Sequence, residues 1–137
     1  MEVKNEKEIP GKPRLKKMFR PFFASEFMKN HIVRWLLIGI FFLNLINWVF
    51  LAIFIRPVDF PIILHYNVYF GVDLIGDWWQ AYVIPAMGLV FFAVNFLLAC
   101  RFFRKKERIA SYILLLASLI IQIGLIIASA AIVLINY

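Results

Sequence analysis

Three long apolar runs, at residues 32–55, 81–100 and 109–136, leave this chain few folds to choose from. A helix needs about 20 apolar residues to cross the roughly 30 Å hydrocarbon core of a bilayer, a length that each run supplies. In lipid every backbone donor and acceptor must pair internally, so an isolated apolar run can cross only as a helix. The first run is broken by Arg34 near its start and by the amides Asn44 and Asn47. Arg34 can extend its charged head to the interface. The second run holds no charge, and Pro85 falls in its first turn, where a missing amide proton does little harm. The third is long enough to require tilt. Composition agrees: 64% hydrophobic and 17% charged residues exclude an ordinary soluble domain. The first run begins only after 31 largely polar and basic residues and is too long for a signal-peptide core, so it reads as an uncleaved anchor.

The distribution of charge predicts an orientation. Residues 1–35 carry nine Lys and Arg and residues 101–108 carry five, whereas residues 56–80 carry Arg56 alone beside Asp59, Asp73 and Asp77. The positive-inside rule puts the N-terminus and the 101–108 loop in the cytoplasm, and the 56–80 connector and Tyr137 outside the plasma membrane. Residues 1–31 form a basic cytoplasmic arm and 32–137 a three-helix transmembrane domain. Within the arm, residues 1–17 read as a polybasic tail. Phe19, Phe22, Phe23 and Phe27 then fall at helical spacing, which predicts an amphipathic helix over 18–31 lying on an anionic inner leaflet. These aromatics are needed by the membrane and no recognition motif accompanies the charge, which argues against nucleic acid.

Helices in lipid associate through small residues and a few hydrogen bonds. On the third run Ala110, Ala117, Gly124 and Ala131 recur every seven residues, with Ala128 one turn on from Gly124, and this stripe is expected on the face packed against the other helices. Asn44 and Asn47 share a face. Counted inward at about 1.5 Å per residue, they reach the depth of Gln122, which predicts an Asn–Gln contact near mid-membrane. Asn95 lies nearer the cytoplasmic edge, within reach of Ser118 or a carbonyl. None of these side chains ionises, and three helices seldom enclose a channel, so they read as packing groups rather than a conduit.

The connector is long enough to have structure of its own. Leu64, Tyr66, Val68 and Phe70 alternate with His65, Asn67 and Tyr69, the period-2 pattern of an extended piece, and Gly71 breaks it. Residues 72–75 form a second short apolar piece, Gly76 and Asp77 a turn, and Asp77 is placed to cap the next helix. Trp78, Trp79 and Tyr82 suit the outer interface. The segment is expected to lie as a lid over the helix ends, with Leu64, Tyr66 and Phe70 turned down and His65 and Asn67 turned toward solvent or each other. His65, Asp73 and Asp77 match no established ligand spacing, and the segment has no serine or cysteine nucleophile. With Cys100 the lone cysteine, no metal, cofactor or enzymatic activity is expected.

From Pro61 through His65, Tyr66, Asn67, Gly71, Asp73 or Asp77 and on to Pro85, the chain resembles the N-terminal membrane module of the immunity-protein family for the bacterial sporulation-delaying toxin. In that module a Pro-containing stretch leads to a His-aromatic-Asn motif, a Gly, an Asp-containing turn and a helix with an early Pro. The same string is similar to small three-helix bacterial membrane proteins. The resemblance implies a bacterial membrane domain and singles out the connector.

The expected fold is therefore an all-α membrane protein of three transmembrane helices, with an interfacial helix before them and a structured, partly extended outer connector. The expected function is a non-enzymatic accessory or interaction protein binding another membrane protein or itself. The alternative is a receptor-like or immunity-like module that recognises a peptide or envelope ligand through His65, Tyr66, Asn67, Gly71, Asp73, Asp77, Trp78 and Trp79.

Overall fold

In the computed structural model, which describes residues 26–137, a single turn α1 (Glu26–Lys29) precedes α2 (His31–Phe54). A hairpin of β1 (Ile62–Asn67) and β2 (Gly71–Gly76) follows, then a 3-10 turn (Trp78–Tyr82) that runs into α3 (Val83–Arg104), and finally α4 (Arg108–Asn136). Among the described residues, three helices are long and apolar enough to cross a membrane. Their outer surfaces carry large apolar side chains such as Leu97, 67% exposed, and Ile127, 65% exposed, a surface suited to lipid rather than water. The expected tail over 1–17 and most of the expected interfacial helix over 18–31 lie outside the described residues. Where that helix is described, Phe27 is buried against α3 with edge-to-face contacts to Phe96 and Phe103.

Local sequence sets the helix ends. The Asn30 side chain caps α2 by accepting from the amides of Ile32 and Val33 at 3.0 and 3.3 Å, and its own amide donates to the Tyr112 hydroxyl of α4 at 2.8 Å. At the other end of α2 the Ile55 carbonyl accepts from the Tyr82 hydroxyl at 3.2 Å. Helix α3 continues through Arg104, so the link to α4 shrinks from the expected 101–108 to the three residues 105–107.

α4 is the central helix. It packs extensively against both α3 and α2, which touch each other far less. The contacts Asn30 to Tyr112 and Asn44 to Gln122 advance together along both helices, so α2 and α4 run parallel. The contacts Ser111 to Ala99, Asn95 to Ser118 and Gln122 to Gly88 run oppositely, so α3 is antiparallel to α4. Two apolar clusters form, one at each end of the bundle. Phe27, Val33, Ile40, Ala99, Phe103 and Leu115 fill the basic end, and Leu51, Ile55, Ile62, Ala81, Ile132 and Val133 fill the hairpin end.

The connector is strand rather than helix, which qualifies the all-α expectation. Its register pairs Ile63 with Ile75, His65 with Leu74 and Tyr66 with Val72, leaving Leu64 and Asp73 as extra residues on opposite strands. Such bulges twist a ribbon and re-aim its side chains. The second offsets the first, so Ile62 with Gly76 and Asn67 with Gly71 keep one overall register.

Candidate functional site

Three groups of side chains carry the chemistry: a polar belt in the middle of the bundle, the outward face of α4, and the hairpin. The belt lies between the two apolar clusters. Asn44 Nδ2 donates to Gln122 Oε1 at 3.2 Å and to the Pro85 carbonyl at 3.0 Å, and Asn44 Oδ1 accepts from Trp48 Nε1 at 3.1 Å. Gln122 Nε2 donates to the Gly88 carbonyl at 3.0 Å, so one cluster ties all three long helices. The expected Asn–Gln contact is present, as is the bond from Asn95 Nδ2 to Ser118 Oγ at 3.1 Å. Gly88 makes the belt possible. A Cβ there would lie 2.8 Å from Gln122 Oε1 and 2.9 Å from Asn44 Nδ2, too close for any other residue without displacing the network.

Asn47 differs from its neighbour. It is fully buried, yet neither Nδ2 nor Oδ1 has a hydrogen-bond partner, and Ser129 Oγ is in the same condition. Buried amides without partners destabilise a fold.

The packed face of α4 is not the one expected. Ser111, Leu115, Ser118, Gln122 and Ser129 are buried, whereas Gly124, Ala128 and Ala131 are exposed, Ala110 and Ala117 are half-buried, and a Cβ at Gly124 would meet no heavy atom within 4 Å. Small residues permit close approach by any helix, so their spacing does not tell a neighbour inside the chain from one outside it. The signal for the inner face was the polar spacing. Ser111, Ser118, Gln122, Ser129 and Asn136 recur at steps of seven, four, seven and seven along an otherwise apolar helix.

Asn136 closes that series and was missed by sequence reasoning. Its Oδ1 accepts from the Ile63 amide at 2.9 Å and its Nδ2 donates to the Ile63 carbonyl at 2.7 Å, so one side-chain amide pairs with β1 as a neighbouring strand would. This clamp, with Leu64 packed into the cluster below, fixes the hairpin to the end of α4.

Within the hairpin, His65 Nδ1 lies 2.7 Å from Asp73 Oδ1, both side chains solvent-exposed. The bulged position of Asp73 brings the two residues together. Asn67 Oδ1 accepts from the Tyr69 amide at 2.9 Å and Gly71 has φ +79°, so these two shape the turn. Tyr66 and Phe70, expected to face the helix ends, are exposed, because the bulges break the strict alternation on which that expectation rests. Asp77 makes no side-chain cap. Its Oδ2 accepts from Trp79 Nε1 at 3.1 Å, while Trp78 packs edge-to-face on Tyr82 in the cluster beneath the hairpin. The expected recognition residues thus divide into a His65–Asp73 pair, a turn built by Asn67 and Gly71, and a Trp group at the start of α3. Among the described residues no three His, Cys, Asp or Glu side chains gather as metal ligands. Comparison with family models, with curated proteins and with solved structures found no match to this chain.

Proposed function

We propose that this is a small multi-pass protein of the plasma membrane, N-terminus cytoplasmic, acting as a non-enzymatic accessory or interaction subunit. It presents the outward face of α4 to a transmembrane helix of another membrane protein or of a second copy. The observation that carries this reading is the open space over Gly124, continued along the helix by exposed Ala128 and Ala131. A partner backbone can approach that strip closely, gaining packing and weak Cα–H contacts that side chains elsewhere would block. The orientation is supported by nine Lys and Arg in residues 1–35 against one in 56–80. Affinity purification from native membranes in mild detergent, with mass spectrometry of what stays bound, tests the reading. A stoichiometric membrane partner or homo-oligomer, lost on Gly124→Leu, supports it.

A second reading rests on the hairpin tip. Val68, Tyr69 and Phe70 are 84%, 91% and 84% exposed on a hairpin held by Asn136, a rigid apolar projection suited to contact with a peptide or envelope ligand. The resemblance of this segment to the toxin-immunity module favours the same role. Under this reading Tyr69→Ser with Phe70→Ser, or His65→Ala, abolishes a ligand-dependent response while the α4 complex persists.

A further inference from the structure

The end of the bundle opposite the hairpin encloses a cavity of about 550 Å³ between α1, the end of α3 and the start of α4. Phe27, Cys100 and Phe103, all buried, form its floor, and the exposed cations Arg104, Lys106 and Arg108 form its rim. An adjoining groove of about 270 Å³ adds Lys29 and Asn30. We infer that this cavity binds the phosphate of an anionic phospholipid from the leaflet at the basic end of the bundle.

Charge and depth both point to that ligand. Glu26 is the one acid lining the cavity among the described residues, and its carboxylate sits 3.8 Å from Arg108 with both side chains largely in solvent, a weak pair that a phosphate can displace. Arg108 stands over the Phe103 ring at 5.6 Å, which holds its guanidinium at the cavity mouth. The cations fall where α3 and α4 leave their apolar stretches, the level of lipid headgroups, and the aromatic floor suits a glycerol and the start of an acyl chain. Glu107 gives α4 no side-chain cap, so the first amides of that helix add their dipole to the same end.

The turn between the helices carries a further sign. The Lys106 amide donates to the Phe103 carbonyl and the Glu107 amide to the Phe102 carbonyl, both at 3.0 Å, the pair of bonds that ends a helix with one left-handed residue. Glycine is usual there, yet the position holds Lys106 at φ +66°. Backbone strain is thus accepted where a cation is kept at the rim. The chain's own residues 1–25 carry seven Lys and Arg against three Glu, so they do not complement this cavity in charge.

The test uses the full chain in phosphatidylcholine nanodiscs, with phosphatidylglycerol added in one arm and inorganic phosphate in another, reading retained lipid by mass spectrometry and the thermal unfolding midpoint. Wild type should retain phosphatidylglycerol selectively and unfold at a higher temperature with it. Arg104→Gln should weaken retention about fivefold, the value of one cation near an anionic surface. Lys106→Gly should fold at least as well as wild type in phosphatidylcholine yet lose a similar factor, which separates lost binding from lost structure. Glu26→Gln should tighten retention by freeing Arg108. Equal retention by wild type, Arg104→Gln and Lys106→Gly would overturn the inference, as would an identical shift from inorganic phosphate alone, which would mark a free-anion site. The inference rests on the reading that the long helices cross a bilayer. Failure of wild type to enter phosphatidylcholine discs overturns that reading, whereas stable discs without lipid preference overturn this one alone.

Discussion

The two faces of α4 solve the same problem by different means. On the inner face Ser111, Ser118 and Gln122 hydrogen-bond to α3, to α2 or to their own helix, and the packing around them is tight enough to require glycine at position 88. On the outer face Gly124, Ala128 and Ala131 are exposed and offer no side-chain polar group, and the space over Gly124 is open. Both devices hold helices together in lipid, where burial of apolar side chains gives no net drive. The inner one is spent on the fold. The outer one has no counterpart within the described residues, and that asymmetry is what the proposed interaction role rests on.

Substitution at Gly88 damages the inner face most. Gly88→Leu forces a side chain into the space of Gln122, Asn44 and Leu125, and should destabilise the bundle by about 3 kcal/mol in reversible detergent unfolding. Gln122→Leu removes the bonds to Asn44 and the Gly88 carbonyl while keeping bulk. It should lower stability by about 1 kcal/mol, the scale of interhelical hydrogen bonds in membranes. Asn47→Leu sharpens the contrast because its sign is opposite: with no partner to lose, the buried amide is replaced by an apolar group, and stability should rise by about 1 kcal/mol in the same assay. Lys106→Gly should stabilise by somewhat less than about 1 kcal/mol through relief of the left-handed backbone, seen as a small rise in the unfolding midpoint in a neutral detergent. Gly124→Leu should leave monomer stability within about 0.5 kcal/mol, since its side chain enters open space.

The spans were legible because about 20 apolar residues have few alternatives, and the depth of Asn44 against Gln122 followed from the helical rise alone. The Asn95 to Ser118 bond was legible for the same reason. Rotation of α4 about its axis was not, because a Gly124–Ala128 strip is equally suited to an inner or an outer neighbour and only the polar residues distinguish the two. The hairpin was half legible: both strand segments showed, but the bulges at Leu64 and Asp73 shift side chains between faces in a way that period-2 counting cannot register. Asp77 does stand at the N-cap position of the 3-10 turn, with its carbonyl accepting from the Gln80 amide, but its carboxylate takes the Trp79 indole instead of a cap amide. The polar series ending in Asn136 marked its face of α4 but not its partner Ile63, because the rise along a helix gives the depth of helical residues and not where a connector strand folds over the helix end.

The central claim is that the outer face of α4 is an interface while the inner face is structure. It is tested most directly by cross-linking in native membranes, comparing wild type with Gly124→Leu after confirming equal insertion and equal unfolding midpoints. Gly124→Leu is expected to abolish the cross-linked complex while the monomer is unchanged. A complex that survives Gly124→Leu at wild-type yield would contradict it and leave the hairpin tip as the surface through which this protein acts.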